Sequence, residues 1–315
     1  MGRNRVLVIG SSNTDMTINV ARLPRAGETI LGGEFAMCAG GKGANQAVGA
    51  ARAGGAVTFI GRIGRDMFGE QALASLAAEG INLDYVVRDP ARPSGVALIY
   101  VGSHGENSIA VASGANASLK PADVRKAKRA FREASVLVLQ LETPLETVQA
   151  AAELAARAGV RVILNPAPAQ PLPASLLKRV YLLTPNESEA AMLTGVTVNN
   201  ETGAAKAADK LRARGAKNVI VTLGARGAFL AGENVRGLIP AYKVKAVDAT
   251  AAGDVFNGAL GFALAEGQSL PEAARFANAA AAISVTRLGA QRSAPRRAEI
   301  ELMLATGRVP SRNSD

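Results

Sequence analysis

The sequence predicts an α/β fold, a three-layer α/β/α sandwich on a central, mainly parallel sheet. Two observations predict it. Short, near-continuous apolar runs recur along the chain, as strands buried on both faces require. Longer segments with apolar residues at helical spacing separate them, as crossovers between parallel strands require. A third observation qualifies the picture: two extended segments interrupt the alternation and belong to neither pattern.

The expected strands are 6–9, 57–60, 136–139, 162–164, 181–184, 219–222 and 228–230, each a short run rich in Val, Ile, Leu or Phe. The expected helices between them include 44–53, 68–78, 121–131, 145–158, 203–214 and 270–285. Another helix follows Asp254, with Val255, Phe256, Ala259, Leu260 and Ala263 spaced to make one apolar face. The interrupting segments are 16–35 and 94–111, with turn signals at Pro24-Arg-Ala-Gly27 and His104-Gly-Glu-Asn107. Residues 306–315 are polar and are expected to fray. In an open α/β sheet, ligands bind at the carboxyl ends of the strands. Polar motifs stand there, after Ile9, Leu139, Leu183 and Val221.

Composition narrows the class. A chain of 315 residues can bury a large core, and an apolar content of 48% is too high for disorder. No apolar run reaches the length of a membrane span. The basic start, Met1 to Val6, precedes an apolar run too short for a signal peptide, and Val6 breaks the myristoylation pattern. Cys38 is the only cysteine, so no intrachain disulfide can form, which suits the cytoplasm. The net charge of +10 is spread along the chain, there is no Trp, and aromatics are 4%, so stacking platforms for nucleic acid are scarce. The expectation is a protein that binds neither nucleic acid nor membrane.

The richest stretch is Asp248-Ala-Thr-Ala-Ala-Gly-Asp254. A helix start carries unpaired N–H groups and partial positive charge, so the small residues Ala251, Ala252 and Gly253 can form an anion hole. Asp254 sits beside it in the first turn. Such N–H groups steady charge, and such a carboxylate takes a hydroxyl proton; phosphoryl transfer to an alcohol needs both. An ordinary helix start, with Asp favouring the dipole, explains the same stretch. A second segment adds weight. Gly40-Gly-Lys-Gly-Ala-Asn-Gln46 opens the 44–53 helix without Walker A spacing. Gly41 and Gly43 let backbone approach a ligand, while Lys42 adds a charge and Asn45 a bidentate amide.

Together the two segments resemble the paired signatures of the ribokinase family of carbohydrate kinases, also called the phosphofructokinase B group. Gly10-Ser-Ser-Asn-Thr-Asp15, Leu139-Gln-Leu-Glu142, Leu164-Asn-Pro-Ala-Pro168, Thr184-Pro-Asn-Glu-Ser-Glu189, Thr222-Leu-Gly-Ala-Arg-Gly227 and Thr286-Arg-Leu-Gly-Ala-Gln291 extend the likeness over residues 5–300. The resemblance implies a single kinase domain over 1–305, with the segments at about 16–35 and 94–111 forming a β-sheet lid over the sugar and a homodimer contact. It makes Asn13, Asp15, Gly41, Lys42, Gly43, Asn45 and Glu142 ligands of the sugar. Asp254 is then the general base, with Ala251, Ala252 and Gly253 as the anion hole. ATP falls to Asn186, Gly253, Asn278 and the turn of Thr222, Leu223, Gly224, Ala225, Arg226 and Gly227. Asn186 and Glu189 stand near Mg²⁺ through water, and they also fit a capped helix start. Asp248, Thr250, Ser284, Arg287, Gly289 and Ser293 enclose a monovalent cation, usually K⁺, mostly through backbone carbonyls.

The implied reaction is ATP-dependent phosphorylation of the 5-hydroxyl of D-ribose to D-ribose 5-phosphate. Alternatives are a same-family kinase for deoxyribose, a ketohexose or a nucleoside, or a non-catalytic sugar- or nucleic-acid-binding protein. Two features stand apart. Ala249 occupies a place where the family usually carries Thr, so no side-chain hydrogen bond can arise there, while a backbone anion hole is unaffected. His104 is the only histidine, which leaves no Ser/His/Asp triad and no His-based metal cluster.

Overall fold

Alternate residues of each central strand face opposite ways, and each face meets its own core. Val6, Val8, Val136 and Val138 pack with Val48, Phe256, Leu260 and Ile283. Leu7, Ile9, Leu137 and Leu139 pack with Phe131, Val148, Ala207 and Leu211. Helices therefore cover both faces: Lys42–Arg52, Ala252–Glu266, Leu270–Ser284 and Arg297–Thr306 on one, Pro121–Lys126, Lys128–Glu133, Leu145–Arg157 and Glu201–Ala213 on the other. This computed structural model describes residues 4–31, 33–104 and 106–310.

The main sheet has eight strands in the order Arg236–Ile239, Ala228–Ala231, Asn218–Thr222, Leu182–Leu183, Arg161–Leu164, Val136–Leu139, Arg5–Ile9 and Ala56–Ile60. From Asn218–Thr222 to Ala56–Ile60 all neighbours run parallel, and the first two strands are antiparallel additions. Every expected strand is present, although 181–184 shrinks to Leu182–Leu183. The edge strand Arg236–Ile239 was not expected, because Gly237, at φ 147°, interrupts its apolar pattern. The helix expected over 121–131 divides at Ala127, whose ψ of 27° ends one helix and starts the next. Ala127 is completely buried, so packing, and no local breaker, sets the division.

A separate four-stranded sheet joins Phe35–Gly40, Asn13–Val20, Gly95–Gly102 and Asn107–Ala112 in that order. Its central pair is parallel and its flanks are antiparallel. Register sorts its two faces. Asp15 pairs with Cys38 and Ala97, so these share one face. Met16 pairs with Met37 and Leu98, and Ile18 with Phe35 and Tyr100, on the other. That second face exposes Phe35, Met37, Leu98 and Tyr100.

The final helix, Arg297–Thr306, ends at Gly307 in the left-handed conformation, φ 69°. Of the tail expected to fray, 311–315 lie outside the described residues, as do 1–3 of the basic start, Gly32, and Gly105 of the expected turn.

Candidate active site

The parallel strands end on one side of the molecule, and the polar motifs gather there. Gly41, at φ 88°, starts the Lys42–Arg52 helix. A Cβ on it would lie 2.6 Å from the backbone nitrogen of Asn13, so only glycine fits this approach. The helix has no cap of its own. Glu142, from the turn after Val136–Leu139, supplies one: its Oε2 accepts the Lys42 N–H at 3.0 Å and the Ser11 hydroxyl. Glu142 thus caps the start of a helix that lies 100 residues earlier in the chain.

Asp254 lies in the first turn of Ala252–Glu266 and is 6% exposed. Asn45 Nδ2 donates to its Oδ2 at 3.0 Å, and Gln46 Nε2 to its Oδ1 at 2.9 Å. Burial pushes the Asp254 carboxyl above its ordinary range, against the pull of Lys42 and the two amides. Lys42 in turn is raised, chiefly by Asp254. Asp15 is pushed up to about 6 by burial, then by Glu142 and Asp254. The residues expected on the sugar side, Asn13, Asp15, Lys42, Asn45 and Glu142, are therefore gathered around Asp254. Asn13 is held by Asn116, whose Nδ2 donates to Asn13 Oδ1 at 2.8 Å. A cavity of about 350 Å³ opens beside them, lined by Asn13, Val111, Asn116, Glu142 and Thr143 among others.

The turn before Asp254 is strained where charge would gather. Ala251 has φ 58°, the one positive φ of a non-glycine among the described residues. Ala252 N–H turns back to Ala249 O at 3.2 Å. The N–H groups of Gly253 and Asp254 have no acceptor in the chain, and no side chain caps this helix. Of the three amides expected in the anion hole, those of Ala251, Ala252 and Gly253, only that of Ala252 has an acceptor in the chain. A Cβ on Gly253 would meet open space.

On the other side of Gly253 lies a cleft of about 800 Å³. Of the residues expected there, Asn186, Thr222, Gly224, Ala225, Gly227, Gly253 and Asn278 line it. Leu223 instead packs into the core, and the Arg226 side chain pairs with Glu187. Asn278 Nδ2 donates to the carbonyls of Ile239 at 3.0 Å and Pro240 at 3.2 Å, fixing the loop that brings Tyr242, Lys243 and Val244 to the wall. That loop was not expected in the site; its sequence carries no glycine or acidic signal. Asn186 caps Glu187–Thr194 in a capping box with Glu189. Both Glu189 oxygens are engaged by Asn186, and burial pushes Glu189 up.

Asp248 ties two segments together, accepting Thr250 N–H and Gly289 N–H, each at 2.8 Å. Burial works against its charge, yet these bonds hold its carboxyl below the usual range. The hydroxyls of Ser284 and Ser293 are turned onto the carbonyls of Ala281 and Ala290, and Arg287 pairs with Glu299. Among the described residues no three His, Cys, Asp or Glu side chains form a metal-holding group. A cation here would rest on backbone oxygens beside Asp248, hard donors that suit an alkali ion.

A family model described as pfkB family carbohydrate kinase matches residues 3–297. The chain belongs to this family. It is 46% identical over 297 residues to a ribokinase of Haemophilus influenzae, covering 94% of this chain and 97% of that protein. It is 38% identical over 291 residues to a deoxyribokinase of Salmonella typhi, covering 92% and 95%. Among solved structures, an Arabidopsis thaliana ribokinase complexed with ribose and ATP matches with a TM-score of 0.90 at 34% identity, covering 96% of this chain and 99% of that one. That structural likeness covers nearly the whole chain, the eight-stranded and the four-stranded sheet included. Among the described residues no helix is long and apolar enough to cross a membrane.

Proposed function

We infer that this pfkB-family protein is an ATP-dependent kinase of D-ribose, forming D-ribose 5-phosphate. The observation that carries the reading is the buried Asp254, which feels the charges of Lys42 and Glu142, acts on Asp15, and directly follows Gly253, whose backbone lines a cleft of nucleotide size. Ribose occupies the side of Asn13, Asp15, Lys42, Asn45 and Glu142; ATP occupies the cleft. Asp254 takes the proton of the 5-hydroxyl as that oxygen attacks the γ-phosphorus in line, and ADP leaves. The N–H groups of Gly253 and Asp254 stabilise the charge that develops on the transferred group. Mg²⁺ bound to the nucleotide would neutralise its phosphates, with Asn186 and Glu189 holding its waters. K⁺ would sit on the carbonyls near Asp248 and steady the anion turn. The small sheet serves as a lid, and its apolar face as the contact with a second copy. A single cysteine fits a reducing cytoplasm.

A second reading has its own support, since the deoxyribokinase likeness spans nearly the same residues. A panel of sugars at fixed ATP decides. A site with several buried polar groups penalises an analogue that lacks one hydroxyl, because its partner is left unpaired. Ribose is expected to exceed 2-deoxyribose in kcat/KM by at least about tenfold. A higher kcat/KM for the deoxy sugar would replace the substrate and leave the family untouched.

A further inference from the structure

Around Asp254 lies a buried chain of amides that the transfer step does not touch. Gln46 is fully buried and Gln140 is 1% exposed. Gln46 Nε2 donates to Asp254 Oδ1 at 2.9 Å and to Asn165 Oδ1 at 3.1 Å. Gln140 Nε2 donates to Gln46 Oε1 at 2.6 Å. Gln140 directly follows the strand Val136–Leu139, and Asn165 follows Arg161–Leu164. Both anchors are therefore set on the rigid end of the sheet.

An amide has two different ends. With Gln140 donating to its oxygen and Asn165 accepting from its nitrogen, Gln46 presents only N–H to the carboxylate. Asn165 is itself fixed, because its Nδ2 donates to Thr184 O at 3.1 Å, so a reversed Gln46 amide would set oxygen against oxygen at both Asp254 and Asn165. The other amide on Asp254 is held differently. Asn45 Oδ1 is buried with no hydrogen-bond partner, so nothing behind Asn45 fixes its orientation. Its donor can pass to an incoming hydroxyl.

We propose that Gln46 is a positioning residue for phosphoryl transfer: oriented by Gln140 and Asn165, it pins Oδ1 of Asp254 and leaves Oδ2, beside Asn45, to take the sugar proton. This rests on the reading of Asp254 as the base. The charged groups that act on Asp254 are Lys42, Glu142, Asp15 and Glu189. None is altered by a change at Gln46, so a shifted titration reports the lost donor.

The test is Gln46→Met, which keeps the length and removes the N–H. Its kcat is expected to fall on the order of 10- to 100-fold, with the ribose KM within about twofold of the parent. The acid limb of kcat against pH is expected to move up by about one unit, because losing a donor disfavours the ionised carboxylate. Gln140→Met leaves every contact of Asp254 in place and is expected to move the limb the same way by less. A folded Gln46→Met protein with parental kcat and acid limb overturns the proposal. So does a loss confined to ribose KM, which would make Gln46 a wall of the pocket. If Gln46→Met does not fold, an unmoved limb in Gln140→Met overturns it instead. Asp254→Asn, run alongside, separates the two readings. If it turns over normally, the base assignment itself fails. If it loses the factor of about 10²–10⁴ that a general base contributes while Gln46→Met changes nothing, only the positioning role fails.

Discussion

Asp15 carries a pH signature of its own. Burial, then Glu142 and Asp254, push it up to about 6 from an ordinary 3.8, with Lys42 opposing. A sugar hydroxyl donates to the ionised form, so ribose KM should rise as pH falls below about 6, approaching tenfold per unit. Stability runs the other way. The folded chain holds the proton between about 4 and 6 where the unfolded chain has released it, so the contribution is full below 4 and is lost as pH rises through 6. Asp15→Asn should therefore raise the unfolding temperature at pH 8 and gain nothing at pH 4, while sugar binding weakens at pH 8 and changes little at pH 4, where the parental carboxyl is already protonated. A calorimetric scan at the two pH values checks this; equal gains would mean that charge is not the cause. At this scale the sequence was legible where function is written locally. Asp254, Asn45, Lys42 and Glu142 stand in glycine- or strand-end motifs that announce a ligand. Gln46, Gln140, Asn165 and Asn116 were in plain view and unread. Their roles exist only where a helix and three strand ends meet, and no spacing in the chain encodes that meeting.

Those residues meet because two helices touch along their backbones. Gly258, on Ala252–Glu266, faces Lys42–Arg52. A Cβ there would lie 2.4 Å from Gln46 O and 2.7 Å from Ala50 N. Neither is a flexible side-chain end, so even one methyl must push the helices apart. Asn45 and Gln46 hold Asp254 across this seam. Gly258→Ala should cost about 1–3 kcal/mol of stability and lower kcat more than it alters ATP binding, because the nucleotide cleft lies beyond the seam. Thermal unfolding and nucleotide titration check it; a variant with parental Tm and kcat would show that the seam is loose. Periodicity had marked both helices, yet the glycine inside the second carried no sign of its purpose. The same gap between pattern and packing explains 121–131. Nothing in Pro121-Ala-Asp-Val-Arg-Lys-Ala127 breaks a helix, and the division at Ala127 follows from how it is buried. The edge strand Arg236–Ile239 was hidden for the opposite reason, a short run with a glycine inside that reads as loop until a neighbouring strand pairs with it.

For the whole molecule the unsettled surface is the outer face of the small sheet. The segment 94–111 was legible as extended, whereas 16–35 was so only at its ends, since 21–31, between the strands Asn13–Val20 and Phe35–Gly40, is loop. Which face is apolar depends on register, and register appears only once Met16 pairs with Met37 and Leu98. Phe35, Met37, Leu98 and Tyr100 then form one exposed apolar face. A contiguous apolar surface on a sheet marks an association site. The occupant we propose is a second copy, because a two-fold contact matches like with like and needs no complementary charge. Charge acts against this pairing: each copy carries +10, so two copies repel at long range. Salt screens that repulsion and leaves the apolar contact in place. The protein should therefore sediment as a dimer of 32.2 kDa chains, and its dissociation constant should fall as salt rises from about 0.05 to 0.5 M. A salt-bridged interface would do the reverse. Leu98→Glu with Tyr100→Lys places polar groups in the middle of the face and should give monomers at micromolar concentration. Parental protein that sediments as a monomer at every salt concentration would remove the contact. Because Asp15 lies on the same strand as Met16 and Ile18 but on the opposite face, monomeric variants should also bind ribose more weakly: the strand that presents Asp15 loses the support behind it. Unchanged ribose affinity in a monomeric variant would mean that the lid holds its shape without a partner.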